Sequence, residues 1–481
     1  MTLPTSILHR RFGLEALRPI QEAVIARLLE GGDALVVMPT GSGKSLCYQF
    51  PALVHAESRS PPGVTLVFSP LIALMEDQVA ALKAKGIRAE YVNSTVNRSE
   101  RQRRYDRLAG GAYELMYATP ERMRVPEFRE ALARVPGGVN LLAVDEAHCI
   151  SKWGHDLRPA YSEVGLFRSA IGSPPTIALT ATATSAVRED IRRVLGLDEA
   201  QMPLFSLPVA RPNLHLRAEC VWDDRAKIDC ITRVASEMPG TGIVYMALIK
   251  DLDRMGDQLR RALPQCRVRL YHGRLPAQER KRVYDEFIGA KPEDRLLLVA
   301  TNAFGMGVDK PDIRFIVHAQ IPGSIEAYFQ EVGRAGRDGR PAECLLLYAE
   351  DDLAIQQEFI EWQNPGADVL VRVATAIEAR HGPGMHADFD TDEIRLEVFG
   401  KGHAKAGARV EYCMITLEKL GVIEPTGIEA RYRFVRPLQP DEVDPGALEA
   451  KRQRDLMRLL EMVRLTRADD IAAGVNAYFG L

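Results

Sequence analysis

The chain alternates between short apolar runs and longer amphipathic stretches. Ala34–Met38, Val64–Ser69, Glu114–Thr119, Leu141–Asp145 and Thr176–Thr180 are largely β-branched or apolar, without regular polar alternation. A strand covered on both faces requires that composition, so these runs predict a mainly parallel sheet. The stretches between them carry helical periodicity, which gives a βαβα order. Prolines 203, 208 and 212 then interrupt the pattern, and Pro203–Pro212 reads as a linker. The pattern resumes with Gly242–Met246, Arg267–Tyr271, Leu296–Ala300, Phe315–His318 and Cys344–Tyr348. A second α/β domain is therefore predicted, and two such domains in tandem form a cleft suited to a ligand.

Past Asp352 the strand runs stop. Leu353–Glu378 reads as helix, and Asp390–Val435 as helix, helix and hairpin. Val410, Cys413, Met414, Leu417 and Leu420 fall on one helical face. Val422–Glu424 and Arg431–Val435 can pair across a turn containing Pro425, Thr426 and Gly427. This order suits a winged helix. A final helix, about Pro445–Leu465, places Leu456, Leu459, Leu460 and Val463 on one side. The expected fold class is α/β: two tandem parallel-sheet domains over 1–208 and 209–350, a helical linker with a winged-helix-like domain over 351–440, and a helical segment over 441–481.

Composition narrows the setting. With 46% apolar and 26% charged residues, the 481-residue chain has the make-up of a globular protein with real cores. No run approaches the roughly 18–20 apolar residues of a membrane span. Met1–Arg10 lacks the apolar centre of a secretory signal, so a cytoplasmic setting is expected. The cysteines at 47, 149, 220, 230, 266, 344 and 413 form no C-x-x-C pair. That dispersal fits a reducing compartment and argues against a disulfide framework or a cysteine zinc site. The net charge is −3, so any nucleic-acid contact must come from a local basic groove. Arg98, Arg101, Arg103, Arg104, Arg107, Arg122 and Arg124 are candidates, although such runs are ordinarily solvated helix faces.

Three constellations carry chemistry. Met38-Pro39-Thr40-Gly41-Ser42-Gly43-Lys44-Ser45 follows a strand and precedes a helix, as a phosphate-binding loop does. Its glycines let backbone N–H groups approach phosphates, Lys44 reaches the β- and γ-phosphates, and Ser45 can ligate Mg²⁺. Asp145 and Glu146 end a buried strand; Asp145 would hold the Mg²⁺ of an ATP complex and Glu146 would deprotonate the attacking water. Gln330-Glu331-Val332-Gly333-Arg334-Ala335-Gly336-Arg337 places two arginines one helical turn apart, where both can face the cleft and stabilise charge on a transferring phosphoryl group.

Together these segments resemble a superfamily 2 helicase, and further motifs are similar to the RecQ family. Phe12-Gly13 with Arg18-Pro19-Ile20-Gln21 resembles that family's N-terminal motif, which implies that Arg18 and Gln21 meet the nucleotide and that Gln21 reads the adenine edge. Ser69-Pro70-Leu71-Ile72-Ala73-Leu74-Met75-Glu76-Asp77-Gln78 and Ala118-Thr119-Pro120-Glu121 look like its strand-tracking motifs. Leu179-Thr180-Ala181-Thr182-Ala183 is similar to the motif coupling hydrolysis to movement. Cys149–Pro159 resembles the aromatic-rich loop that senses single-stranded DNA, which implies DNA contacts from Trp153, His155 and Arg158. Trp153 offers a stacking face and Arg158 a phosphate contact. The family usually has Gln and Phe where this chain has Lys152 and Leu157. Val299–Pro311 closely resembles the next motif, with Asn302 as its DNA contact, whereas Tyr245–Lys250 and Tyr271–Leu275 match more loosely.

The resemblance implies RecA-like domains and a DNA-stimulated ATPase using ATP and Mg²⁺. It further implies 3′→5′ translocation on single-stranded and forked DNA in repair or recombination, by a monomer that is nucleoid-associated if prokaryotic. The family's four-cysteine zinc module has no counterpart ligands. Leu465–Ala468 and Tyr478–Gly480 are similar to its helix and aromatic turn, but cysteines are absent there, and His381, His386 and His403 lack ligand spacing. No structural zinc is expected. An RNA helicase or duplex translocase, and an ATP-regulated DNA-binding or annealing factor, remain the other readings.

Overall fold

Seven strands form the first sheet in a computed structural model that describes residues 4–480 apart from 40, 152–158, 209–210, 306–307, 309, 381–387, 401–405 and 427–430. They are β1 (Ala34–Val37), β2 (Val64–Phe68), β3 (Ala89–Val92), β4 (Leu115–Ala118), β5 (Val139–Val144), β6 (Thr176–Thr180) and β7 (Leu204–Ser206). Their spatial order is β3-β4-β2-β5-β6-β1-β7, with every pairing parallel. Successive residues of β1 point to opposite faces: Leu35 and Val37 join one core, Ala34 and Val36 the other. Burial on both sides is why these strands read as continuous apolar runs.

The second sheet repeats the principle with β8 (Leu214–Cys220), β9 (Thr241–Tyr245), β10 (Arg267–Tyr271), β11 (Leu296–Ala300), β12 (Ile313–His318) and β13 (Ala342–Tyr348). Its order is β10-β11-β9-β12-β13-β8, again parallel throughout, with one apolar core on each face. Two parallel-sheet RecA-like domains are thus present.

Three strands depart from the sequence reading. β3, β7 and β8 all lie at sheet edges, where one side carries no partner strand and polar residues are tolerated. β7 falls inside the proline-rich stretch read as a linker; Leu204–Ser206 instead pairs with Leu35–Val37. Leu353–Glu378 is two helices, Asp352–Gln363 and Ala367–Arg380. The break falls at Asn364-Pro365-Gly366, because proline removes a backbone donor and restricts the residue before it.

After these helices come β14 (Asp388–Asp390), helices Thr391–Phe399 and Ala406–Lys419, then β15 (Ile423–Pro425) and β16 (Arg431–Phe434). The strands form an antiparallel sheet in the order β14-β16-β15. Val410, Cys413, Met414 and Leu417 are fully buried in its core, beside Phe389 and Ile394.

The terminal helices, Pro445–Thr466 and Ile471–Phe479, do not stand apart. Met462, Leu465, Ile471, Val475 and Phe479 belong to a core of the second sheet. Phe479 packs edge-on against Phe329, and the Tyr478 hydroxyl donates to Glu326 Oε1 at 2.8 Å. On the apolar side expected for the longer helix, Leu459 is buried but Leu460 is 41% exposed.

Candidate active site

The site gathers at the carboxyl ends of the strands, where open parallel sheets bind ligands. The loop after β1 turns through Gly41 and Gly43, at φ 79° and 83°, a left-handed conformation that a side chain resists. Thr40 lies outside the described residues. Arg18 Nη1 donates to the Ser42 carbonyl at 3.0 Å, and Gln21 Nε2 to the Gly43 carbonyl at 3.1 Å. Gln21 Oε1 in turn accepts from the Arg18 backbone N–H at 2.9 Å. A Cβ on Gly43 would sit 2.5 Å from Gln21 Nε2, so the glycine is needed for this close approach as well. Beside Arg18–Ile20 opens a cleft of about 640 Å³ whose other wall is Leu204–Leu207, the edge strand that the sequence concealed.

Lys44 Nζ donates to the Met38 carbonyl at 3.0 Å across its own loop. Burial pushes its pKa down; Glu146 and Asp145 oppose that shift, and Arg337 adds to it. Ser45 Oγ accepts from Gln78 Nε2 at 3.3 Å. Helix Leu46–Ser58 continues from the loop.

Asp145 follows β5 and is 6% exposed. Its N–H donates to the Phe68 carbonyl at 2.8 Å, and its Oδ1 accepts from the Glu146 N–H at 3.0 Å. Burial raises its carboxyl pKa, and Glu146 raises it further while Lys44 opposes. Glu146 adopts φ 47°, ψ 47°, a left-handed strain that non-glycine residues keep where surroundings over-determine them. Glu146 Oε2 lies 3.3 Å from His148 Nδ1, which is 3.0 Å from Thr180 Oγ1 at the end of β6. Burial disfavours charge on His148, but Cys149 and Glu146 outweigh it and hold the imidazole pKa well above its ordinary value. The link from Glu146 through His148 to Thr180 is absent from the sequence reading. Its one sequence signal is that His148 follows the carboxylates by two positions, which says nothing of Thr180.

The two arginines do not share one helical face. Helix Ile325–Val332 ends before them, so Arg334 and Arg337 lie in the turns that follow. Arg337 packs on the first domain's phosphate loop: a Cβ built on Gly41 would lie 3.3 Å from Arg337 Cγ. Arg334 is 9% exposed and donates to the Gly305 carbonyl within its own domain. It also reaches the Tyr245 phenol, whose hydroxyl donates to the Phe304 carbonyl at 2.9 Å. Gln330 is half-buried on the same helix, beside Glu331. Glu331 Oε2 lies 2.7 Å from His318 Nε2, and the His318 ring stacks on Tyr245.

Of the candidate DNA contacts, Asn302 is exposed just beyond β11. Trp153, His155 and Arg158 lie outside the described residues, as do Lys152 and Leu157. The described residues that flank this stretch are anchored. Ser151 Oγ donates to Asp190 Oδ2 at 2.8 Å, and the Tyr161 hydroxyl to the Asp145 carbonyl at 2.9 Å.

Several basic candidates are engaged internally. Arg103 and Arg104 pair with Glu100, and Arg124 with Glu163 and Glu418. The hairpin arginines read from the sequence as candidate phosphate contacts, Arg431, Arg433 and Arg436, include two engaged likewise: Arg433 with Asp388 and Glu424, and Arg436 with Glu442. His381, His386 and His403 lie outside the described residues. Among the described residues there is no group of three or more His, Cys, Asp or Glu able to hold a metal. The Ser45 hydroxyl and the Asp145 carboxylate are hard oxygen donors, which suits Mg²⁺. No described helix is long and apolar enough to cross a membrane.

Comparison with known proteins agrees with this architecture. The DEAD/DEAH box helicase family matches residues 18–191, and the helicase conserved C-terminal domain matches 226–339. The chain is 40% identical over 419 residues to the probable ATP-dependent DNA helicase RecS of Bacillus subtilis (strain 168), covering 86% of this chain and 80% of that protein. It is 42% identical over 358 residues to the ATP-dependent DNA helicase RecQ of the same organism, covering 74% of this chain and 58% of that protein. Among solved structures, the helicase MrfA bound to DNA superposes with a TM-score of 0.59 at 18% identity, over 91% of this chain and 59% of that one. That likeness concerns the fold. On the sequence relationship, the chain belongs to the RecQ family of DEAD/DEAH-box helicases.

Proposed function

We propose that the chain is a DNA-stimulated ATPase that moves 3′→5′ along single-stranded DNA and unwinds forked duplexes. One observation carries the motor reading, while the direction rests on the family resemblance alone: Arg337 of the second domain lies against the phosphate loop of the first. Hydrolysis then depends on how the two domains sit, and a change in their separation becomes movement along a strand.

Arg18 and Gln21 hold the loop and stand beside the cleft between Arg18–Ile20 and Leu204–Leu207, which suits the base of the nucleotide. Backbone N–H groups of Gly41–Ser45, with Thr40 before them, and the Lys44 ammonium bind the phosphates. Ser45 and Asp145 hold Mg²⁺, which when bound neutralises phosphate charge. Glu146 takes the proton of the attacking water, and Arg337 stabilises the charge that develops on the transferred phosphoryl group. Arg334 and Gln330 act from the same turn and helix, Arg334 by tying the loop after β11 to it. Asn302, on that loop, contacts the strand, and Trp153, His155 and Arg158 contact it from the stretch that follows Asp145 and Glu146 in the chain. Strand contact and hydrolysis thereby share one short stretch of chain. The three helices and three-stranded sheet over 367–434 form a winged helix in this account, placed to meet duplex DNA.

The test is strand displacement on duplexes carrying a 3′ or a 5′ single-stranded tail. The 3′-tailed substrate is expected to be unwound with ATP and the 5′-tailed one left intact. Trp153→Ala is expected to lower unwinding by about tenfold, from one lost base stack of ~1–3 kcal/mol. Equal unwinding of both substrates, or an unchanged Trp153→Ala variant, would contradict the proposal.

A further inference from the structure

Behind the phosphate loop, five polar side chains form a relay, buried at its two tyrosines and half-buried at Ser45, Gln49 and Gln78, that no nucleotide contact explains. Gln49 Nε2 donates to the Tyr117 hydroxyl at 3.1 Å, and that hydroxyl lies 3.5 Å from the Tyr48 hydroxyl. Tyr48 donates to Gln78 Oε1 at 2.9 Å, and Gln78 Nε2 donates to Ser45 Oγ at 3.3 Å. Both tyrosines are almost wholly buried. Burial raises both phenol pKa values far above the working range, so they remain protonated donors.

The relay has a direction. The Gln49 nitrogen donates at one end, and each phenol passes its proton onward. Tyr48 therefore takes the oxygen of Gln78, and the Gln78 nitrogen is left facing Ser45. A serine oxygen has one proton and two lone pairs. Gln78 engages one lone pair, which leaves the other for a cation. A free serine hydroxyl would instead choose among three rotamers.

We infer that Gln78 is a positioning residue for the metal: through its bond to Ser45, it sets the serine hydroxyl in the orientation that ligates Mg²⁺, with Tyr48 fixing the amide. The inference rests on the reading of Ser45 as a metal ligand. It assigns a role at the nucleotide site to the last residue of Ser69–Gln78, a segment whose sequence speaks only of strand tracking. Partners of this kind orient a ligand without touching the metal, and losing one typically weakens metal affinity by about 10–100-fold.

The experiment titrates Mg²⁺ into the full chain with a fluorescent ATP analogue and reads nucleotide binding, alongside binding of the same analogue in excess chelator. Gln78→Met is expected to raise the Mg²⁺ half-saturation by about tenfold while the metal-free affinity stays unchanged. Tyr48→Phe, which keeps the ring packing, is expected to raise it by about threefold, and Ser45→Ala by at least as much as Gln78→Met. Thermal melting is measured in parallel, and Tyr48→Phe carries the test should Gln78→Met melt early. A raised half-saturation in Ser45→Ala with none in Gln78→Met or Tyr48→Phe overturns the inference and leaves the metal reading standing. No change in Ser45→Ala removes the metal reading, and the inference with it. An equal loss of metal-free affinity in Gln78→Met also overturns it, since that marks a general collapse of the loop.

Discussion

Arg337→Ala is expected to lower the maximal rate of ATP hydrolysis by about 10³-fold or more, the range seen when arginines of this kind are removed from other nucleotide hydrolases. Its side chain lies on Gly41, and its charge is felt by Lys44, which in the proposed mechanism is where phosphoryl charge develops. Nucleotide affinity should change far less, because Arg18, Gln21 and Lys44 belong to the other domain. The melting midpoint should stay close to that of the parent chain. Arg334→Ala is the informative contrast. Its guanidinium is buried against the Gly305 carbonyl and the Tyr245 phenol, and hydrogen bonds to a charged group contribute ~1.5–3 kcal/mol each. That variant should melt markedly earlier. Steady-state hydrolysis and thermal melting of the two variants distinguish the roles. If Arg337→Ala hydrolyses ATP at the parental rate, the arginine assignment is wrong.

Glu146→Gln is expected to reduce turnover by about 10²–10⁴-fold, the contribution of a positioned general base, while binding ATP at least as well as the parent. The substitution preserves shape and removes only basicity. The carboxylate is held by its left-handed backbone and by His148 at 3.3 Å, so its position is built rather than incidental. Rapid-quench measurement of a single turnover separates the chemical step from product release. A chemical step as fast as the parent's would show that another group activates the water.

Much of this site is readable along the chain because its chemistry is local. The phosphate loop and the paired carboxylates each sit within a few consecutive residues at the end of a continuously apolar strand, and the structure places both loops at the same strand ends. The inner strands are equally legible, since burial on both faces forces an unbroken apolar run. Of the four edge strands of the two parallel sheets only β10 is legible. In β3 the buried Glu90 is paired with Lys83 and Arg104, which satisfies its charge through partners that the run itself cannot announce. β8 alternates polar and apolar residues, and β7 hides among prolines.

What remained illegible is set by contacts between distant residues. Arg334 and Arg337 look equivalent in sequence, and only the loop at Gly305 and the glycine at 41 tell them apart. Gln78 is 33 positions from Ser45, and its amide reads as an ordinary polar group of an amphipathic helix. The last helices look like a fragment of another module, and only the contact of Phe479 with Phe329 shows where they pack. Helical periodicity predicts an apolar face but not the surface that covers it.

The central claim is that strand binding and hydrolysis are coupled through this chain. It is tested most directly by the rate of ATP hydrolysis with no nucleic acid, with single-stranded DNA, and with RNA of the same length. The account predicts a low basal rate, strong stimulation by the DNA and little by the RNA. A rate indifferent to DNA, or one raised by RNA alone, would contradict it.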